Sequence, residues 1–313
     1  MNKPLIAIVG PTAVGKTDIA IDVALRIKGV IISADATQVY KYMNIGSAKP
    51  TEQERRGVPH YMIDVVEPNE SFSVAVFQRM AREYIDKTLK AGYIPILVGG
   101  TGLYVNSVIY SLDFTEGAPD EELRHKLREM AERFGTDILY EELAKIDPES
   151  ASKISRNDLK RIMRALEVYY KTGKPISYYQ KRSKQISPPY NALVVGLTMD
   201  RQRLYERIEQ RVDAMISKGL IEEVRWLRAN GYTSNKVAMQ AVGYKEILAY
   251  LNGLCTLEEA IALIKRNTRR LAKRQWTWFN KDKNVHWFDV DKFETRDELI
   301  NAIISKIKTF LGQ

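Results

Sequence analysis

Residues 10–17 read GPTAVGKT, and the reading of that octet decides the fold. Gly10, four intervening residues and then Gly15-Lys16-Thr17 have the spacing of a phosphate-binding loop. The run before it, PLIAIVG (4–10), is short and apolar, and TDIAIDVALRI (17–27) carries apolar residues at helical spacing. The context is therefore strand, loop, helix. In such a loop the backbone N–H groups of residues 12–15 wrap an anion, Lys16 adds a point charge and the helix N-terminus adds its dipole. Thr17 is placed to ligate a Mg²⁺ ion bridging phosphate oxygens.

Outward from the loop, GVIISAD (29–35) reads as a second strand ending on Asp35. A helix is expected over 73–90, and YIPILV (93–98) reads as a third strand running into GGTGLY. Strands alternating with helices predict an α/β fold, a parallel sheet covered on both faces, with the site outside the carboxyl ends of the strands. Residues 10–17, Asp35 and Thr101 are thus expected at one edge. Composition changes after Asp113. From Pro119 to about Gly173 the chain reads as charged helix, with Leu159, Ile162, Met163, Leu166 and Tyr170 on one stripe. PISYYQKRSKQISPPYN (175–191) reads as a basic, aromatic connection, and ALVVGLTMD resumes strand character. The expected organisation is a core of residues 1–115 and 191–313 interrupted by an all-helical insertion domain, 116–190. The remainder is expected to be helical from Arg201 to about Tyr250 and from Leu257 to Asn280, and to close with the strand VHWFDV.

Composition narrows the partners. A single cysteine, Cys255, excludes an intrachain disulfide and any multi-cysteine zinc site. No apolar run approaches the ~20 residues that span a bilayer, and the N-terminus lacks a signal-peptide pattern, which places the protein in the cytoplasm. The net charge of +9 and pI near 9.3 suit a large polyanionic partner.

Motor and switch nucleotidases hold Mg²⁺ with an acid at the end of a second apolar strand; IPILVGGTG ends on glycines, which argues against a motor. The Gly-Gly-Thr-Gly turn offers backbone donors and the Thr101 hydroxyl to an anion oxygen. Asp35 reads either as a base for an acceptor nucleophile or as a turn acid. In LYERIEQRVDAMISKGLIEEV, Arg211 falls at the edge of the stripe of Leu204, Ile208, Met215 and Leu220, where a desolvated guanidinium needs an anion, either a ligand phosphate or a surface acid such as Glu206 in an ion pair; Arg207 shares that edge. In IALIKRNTRRLAKRQWTWFN (261–280), six bases between 265 and 274 have no intervening acid, a pattern suited to a phosphate backbone. Lys160, Arg161 and Arg164 repeat it in the insertion. Alone, these residues also fit an ATP-dependent kinase of a small acceptor or an RNA-binding module that senses a nucleotide.

Nearly end to end, the chain resembles the bacterial tRNA dimethylallyltransferases, or isopentenyl-tRNA transferases. The stretches that carry the resemblance are GPTAVGKT, SADATQVYKYMNIGSAKP, GVPHYMIDV, LVGGTGLY, NDLKRIMRALEVYYKTGKPIS, RIEQRVDAMISKGLIEEV, AMQAVGYKE and TRRLAKRQWTWF. The resemblance implies a nucleotide-kinase-like P-loop fold and transfer of the dimethylallyl group from dimethylallyl diphosphate to N6 of the adenosine 3′ to the anticodon. It implies Asp35, Thr101 and Arg211 as catalytic, with Mg²⁺ on Thr17. The diphosphate would be held by Gly10, Thr12, Ala13, Val14, Gly15, Lys16, Thr17 and Arg207. The tRNA would meet Asp35, Ala36, Thr37, Gln38 and Thr101 around a flipped base, Gln38 reading its edge. Lys160, Arg161, Ile162, Met163 and Arg164 would grip the anticodon stem-loop. Gln240, Gly243, Tyr244, Lys245, Arg270, Lys273 and Arg274 would contact it elsewhere. A monomer is expected. Family members usually carry Ser where Ala36 stands here, a change expected to remove a minor hydrogen bond and leave the base intact.

Overall fold

The computed structural model describes residues 3–110, 112, 114, 120–233 and 237–312. In chain order the larger part of it is built from β1 (Pro4–Val9), α1 (Lys16–Ile27), β2 (Gly29–Ser33), α2 (Glu52–Arg55), β3 (His60–Tyr61), α3 (Val74–Lys90), β4 (Ile94–Gly99) and α4 (Gly102–Ile109). Helices α5 (Glu121–Phe134), α6 (Thr136–Ile146), α7 (Pro148–Ala151), α8 (Leu159–Thr172) and α9 (Ile176–Gln185) follow. The chain then continues through β5 (Asn191–Thr198), α10 (Arg201–Ser217), α11 (Leu220–Ala229), α12 (Tyr244–Leu251), α13 (Leu257–Phe279), β6 (Val285–Asp289) and α14 (Arg296–Leu311).

The alternation of apolar strand and amphipathic helix produces the expected parallel sheet. Its order is β3-β2-β4-β1-β5-β6, every pairing parallel. β1 lies between β4 and β5, with Ile8 level with Val98 on one side and Val195 on the other. Strands covered on both faces have no polar side to present, and β2 is buried at every position, as are β1 from Leu5 and β4 from Pro95. Because β2, β4 and β1 are neighbours running the same way, the chain leaves all three at one edge, where residues 10–15, Asp35 and Thr101 follow.

One face is closed by an element the sequence reading missed. The strand VHWFDV is not the last element; α14 follows it. Thr295 caps this helix by accepting the N–H of Glu298 at 3.2 Å. Leu299, Ile300, Ile303, Ile304 and Ile307 bury against Ile19, Val23 and Leu193. At about 2 kcal/mol per buried aliphatic side chain, that stripe is a large share of the packing behind the glycine loop. The helical stretch expected from Arg201 to Tyr250 breaks into α10, α11 and α12. Among the described residues no helix is long and apolar enough to cross a membrane.

Contacts divide the chain into two compact units, Met1–Ile109 with Tyr190–Gln313, and Tyr110–Pro189. The boundary expected at residue 116 lies outside the described residues. The second unit has a core of Leu127, Leu139, Leu143, Ile162 and Leu166. A buried carboxylate, Glu167, sits beside it and accepts from the backbone of Asp120 at 2.8 Å, Arg124 at 3.1 Å and Arg164 at 2.8 Å. Residues 176–185, read from sequence as a connection, form a helix. Its first turn is capped from a distance, since Asp147 Oδ2 accepts the Ser177 N–H at 3.0 Å, and Lys181 pairs with Glu149 at 2.6 Å.

Candidate active site

The glycine loop has a backbone that few other residues could follow. Gly10 (φ 143°) has no room for a side chain, because a Cβ would stand 2.4 Å from the Leu197 carbonyl oxygen on β5. Gly15 is left-handed at φ 99°, and Ala13 at φ 67° adopts the same region against its preference. Lys16 opens α1 and folds back, donating from Nζ to the Pro11 carbonyl at 2.8 Å. Burial lowers its pKa from the ordinary lysine value to about 7; neighbouring Asp35 opposes that shift and Arg211 adds to it. An ammonium so deprived of water gains most from an arriving anion.

Arg211 on α10 is in a similar position. Desolvation lowers its pKa, opposed by Asp35 and Asp18. Its hydrogen bond is a long one, 3.5 Å to Thr12 Oγ1. Among the described residues no carboxylate lies within ion-pair distance of it. Among the described residues none supplies the close anion that a desolvated guanidinium requires. Arg207, one turn earlier and exposed, brings Nη2 to 3.7 Å from where a Cβ on Gly15 would stand.

Two adjoining cavities share Lys16, Thr17, Pro50 and Arg211. The larger, about 410 Å³, is lined by Ala13, Gly15 and Asp18 together with Arg207, Met215 and the 44–51 segment. The smaller, about 70 Å³, is lined by Thr12, Ser33, Asp35, Gln38 and His60. Asp35 follows β2 and is held by its own turn: Oδ1 accepts the N–H of Thr37 at 2.8 Å and of Gln38 at 3.3 Å. Asp35 is thus a turn acid by Oδ1 that also lines the smaller cavity. Among the described residues Oδ2 has no hydrogen-bond partner.

Thr101 steadies that turn. Its N–H donates to the Ala34 carbonyl at 3.2 Å, and its Oγ1 accepts the Ala36 N–H at 3.0 Å. Of the Gly-Gly-Thr-Gly turn, the Thr101 N–H is taken by Ala34, and the glycines allow close packing. A Cβ on Gly99 would meet the Ala34 carbonyl at 2.1 Å, one on Gly100 the Gln275 amide at 2.2 Å, and one on Gly102 the Trp278 indole at 2.3 Å. Gln38 is also more committed than expected. Its Oε1 accepts from Ser33 Oγ at 2.8 Å and its Nε2 donates to the carbonyls of Ser47 and Ala48, so its amide reads a base edge only by giving up those bonds. His60 went unnoticed inside GVPHYMIDV. Its Nδ1 bonds the Val58 carbonyl at 2.8 Å, its Nε2 is buried without a partner among the described residues, and burial lowers its pKa from the ordinary histidine value.

The residues assigned to RNA sort into exposed and unavailable. Ile162 and Met163 are 0% and 7% exposed, in the core of the second unit, so side-chain contact with a nucleic acid is closed to them. Arg164 is bound to Glu167, Arg161 pairs with Asp158 at 2.9 Å, and Lys160 is exposed. Tyr244 is fully buried and donates to Glu223 at 2.7 Å, while the N–H of Gly243 donates to Glu246; Gln240 and Lys245 stay at the surface. On α13 the bases are not all uncompensated. Lys265 pairs with Asp213 at 2.7 Å and Arg269 with Glu209. Arg266, Arg270, Lys273 and Arg274 are exposed, and no acid lies within ion-pair distance of them among the described residues. Phe279 is buried, whereas Trp276 and Trp278 are 44% and 42% exposed.

A family model described as IPP transferase matches residues 38–282. The chain is 55% identical over 306 residues to the tRNA dimethylallyltransferase of Carboxydothermus hydrogenoformans, covering 98% of each chain. Its fold is similar to that of the tRNA isopentenylpyrophosphate transferase of Bacillus halodurans, at TM-score 0.75 and 45% identity over 99% of this chain and 97% of that one. It is also similar, at TM-score 0.84 and 29% identity, to a eukaryotic dimethylallyltransferase solved acting on tRNA, covering 99% of this chain and 80% of that one. With a family match over most of its length and relatives at about half identity across almost all of it, the chain belongs to the IPP transferase family.

Proposed function

We propose that the chain is a tRNA dimethylallyltransferase that moves the dimethylallyl group of dimethylallyl diphosphate to N6 of the adenosine 3′ to the anticodon. The observation that carries this reading is the meeting of Asp35 with two desolvated cations, Lys16 and Arg211, on one pair of adjoining cavities. A kinase of this sheet type needs the cations too, but the bases of α13 that are exposed and meet no acid among the described residues answer to nothing in a small acceptor.

In this reading residues 10–17 are a phosphate loop. Lys16, Arg211 and the N–H groups of the loop hold the diphosphate, with Arg207 at its exposed side. As the bond from the allyl carbon to the bridging oxygen breaks, its electron pair goes to the diphosphate, and these donors stabilise the growing charge. The exocyclic amine forms the new N–C bond and its proton passes to Asp35 Oδ2. Thr101 and the turn N–H groups hold that carboxylate in place. Among the described residues no group of three or more acid, His or Cys side chains could hold a metal. Mg²⁺ suits such a site, because it keeps several waters and takes the rest of its oxygens from substrate phosphates. Thr17, lining both cavities, is the protein oxygen offered to it. Bound there, the ion would neutralise the leaving diphosphate. The exposed bases of α13 and, in the second unit, Lys160 and Arg161 serve the RNA backbone.

The test is transfer of radiolabel from dimethylallyl diphosphate to unmodified tRNA, beside γ-labelled ATP as competing donor. Label arriving from the prenyl donor is expected, with Asp35→Asn lowering turnover by about 10²–10⁴ while RNA binding persists. Label from ATP instead would establish a kinase.

A further inference from the structure

Three stretches far apart in sequence converge on one carboxylate that belongs to none of the expected site residues. Glu223 lies in the first turn of α11. Its Oε2 accepts the backbone N–H groups of Asn44 at 2.9 Å and Ile45 at 2.8 Å. Its Oε1 accepts the N–H of Gly46 at 3.2 Å and the hydroxyl of Tyr244 at 2.7 Å. Three consecutive N–H groups aimed at one anion form a nest, filled here by a side chain of the protein. Tyr244 packs against the same turn: a Cβ on Gly46 would stand 2.5 Å from its ring, which is why glycine is required there.

The turn so held is the start of the segment that lines the larger cavity. Asn44, Ile45, Ala48, Lys49, Pro50 and Thr51 share that cavity with Gly15, Lys16 and Thr17, and Ser47 and Pro50 reach the smaller one. Beyond the nest the segment is secured by Lys49, whose Nζ bonds Asp64 at 2.6 Å, and by Gln38, which donates to the carbonyls of Ser47 and Ala48. Glu223 itself lines neither cavity.

We propose that Glu223 is a positioning residue for the donor site: its carboxylate templates the 44–50 segment and thereby sets the affinity of the cavity for the diphosphate group. This rests on the reading of the cavity as the diphosphate site. Four hydrogen bonds converge on two oxygens, so an amide cannot replace the carboxylate. A glutamine turned to serve Asn44 and Ile45 puts its NH₂ against the N–H of Gly46; turned the other way, it opposes two N–H groups. The Tyr244 hydroxyl adapts by accepting, but a backbone N–H cannot.

The experiment compares wild type with Glu223→Gln and Tyr244→Phe by three readouts: calorimetric binding of inorganic diphosphate with Mg²⁺, steady-state KM for each substrate, and Tm. Glu223→Gln is expected to weaken diphosphate binding at least tenfold and to raise the KM for the prenyl donor in parallel, with the KM for tRNA changed less than twofold. Tyr244→Phe, which removes one of the four bonds, is expected to shift the same quantities two- to fourfold. Diphosphate binding within twofold of wild type in Glu223→Gln, beside a lowered Tm, would reduce the carboxylate to a stability role and overturn the proposal. Should Glu223→Gln fail to fold, unchanged binding in Tyr244→Phe would overturn it. Wild-type protein that binds diphosphate but transfers no prenyl group would sink the transferase reading alone, leaving Glu223 to be judged by binding.

Discussion

Gln275 joins the basic helix to the glycine loop: from α13 its Oε1 accepts the backbone N–H of Thr12 at 2.8 Å, while its Nε2 packs over Gly100. The helix that carries the exposed bases and the glycine loop are thus held by one amide. Gln275→Ala leaves the Thr12 N–H without its partner and is expected to cost about 1–2 kcal/mol of stability. Gln275→Glu keeps an acceptor for that N–H but places a negative charge beside the anion site. It is expected to retain more stability than the alanine variant and yet bind diphosphate more weakly, by on the order of 1–2 kcal/mol. Thermal unfolding and diphosphate calorimetry on the two variants check this reversal of order.

Lys16 supplies a prediction about protons. Its folded pKa, pushed down to about 7 by burial, lies below the 10.5 of the unfolded chain. Between those values the unfolded chain binds more protons, so this residue makes stability rise with pH from about 7 to 10.5, and its penalty is fullest below 7. A bound diphosphate restores the charge. At pH 8 the wild type is expected to take up close to one more proton on binding diphosphate than Lys16→Met does, and at pH 6 the difference is expected to shrink towards zero. Calorimetry in buffers of different ionisation enthalpy measures it.

In the proposed reaction Thr101 acts on Asp35 through the turn that carries it. Thr101→Val keeps the shape but removes the oxygen that accepts the Ala36 N–H. Leaving that N–H unpaired is expected to cost about 1–3 kcal/mol, and loosening the Asp35 turn is expected to lower kcat roughly tenfold. The KM for the prenyl donor should stay near wild type, since the Asp35 turn lies outside the glycine loop. A changed KM with unchanged kcat would place Thr101 on the diphosphate instead.

What was legible in the sequence was what depends on near neighbours. Strand, glycine loop and helix follow from the periodicity of residues 4–27, and Asp35 and Arg211 follow from their places at a strand end and at the edge of a buried stripe. What was not legible has a distant partner. Residues 176–185 look like a linker until Asp147 caps their first turn and Glu149 takes Lys181. The close packing at Gly100 and Gly102 is invisible in the stretch itself, because Gln275 and Trp278, which occupy the space of their missing side chains, lie about 175 residues away in the chain. The AVGYKE stretch looks like a contact surface until Glu223 claims Tyr244 and Asn267 claims Glu246. Helix α14 is a different case: its stripe of Leu299, Ile300, Ile303, Ile304 and Ile307 has clear helical spacing, and the reading stopped one element short of it.

The pairing pattern on α13 divides its bases into two kinds with different signatures. Lys265 and Arg269 are held by Asp213 and Glu209 on α10, so truncating them removes helix-to-helix contacts. Arg270, Lys273 and Arg274 are exposed with no acid in reach among the described residues, and a phosphate that meets one of them releases a counterion. Each alanine substitution among these three is expected to reduce the slope of log K for tRNA against log salt by about 0.7–0.9, leaving Tm near wild type. Arg269→Ala is expected to lower Tm and leave the slope unchanged. Binding isotherms at four or more salt concentrations distinguish the two kinds, and an unchanged slope in all three of the exposed variants would move the RNA backbone off this helix.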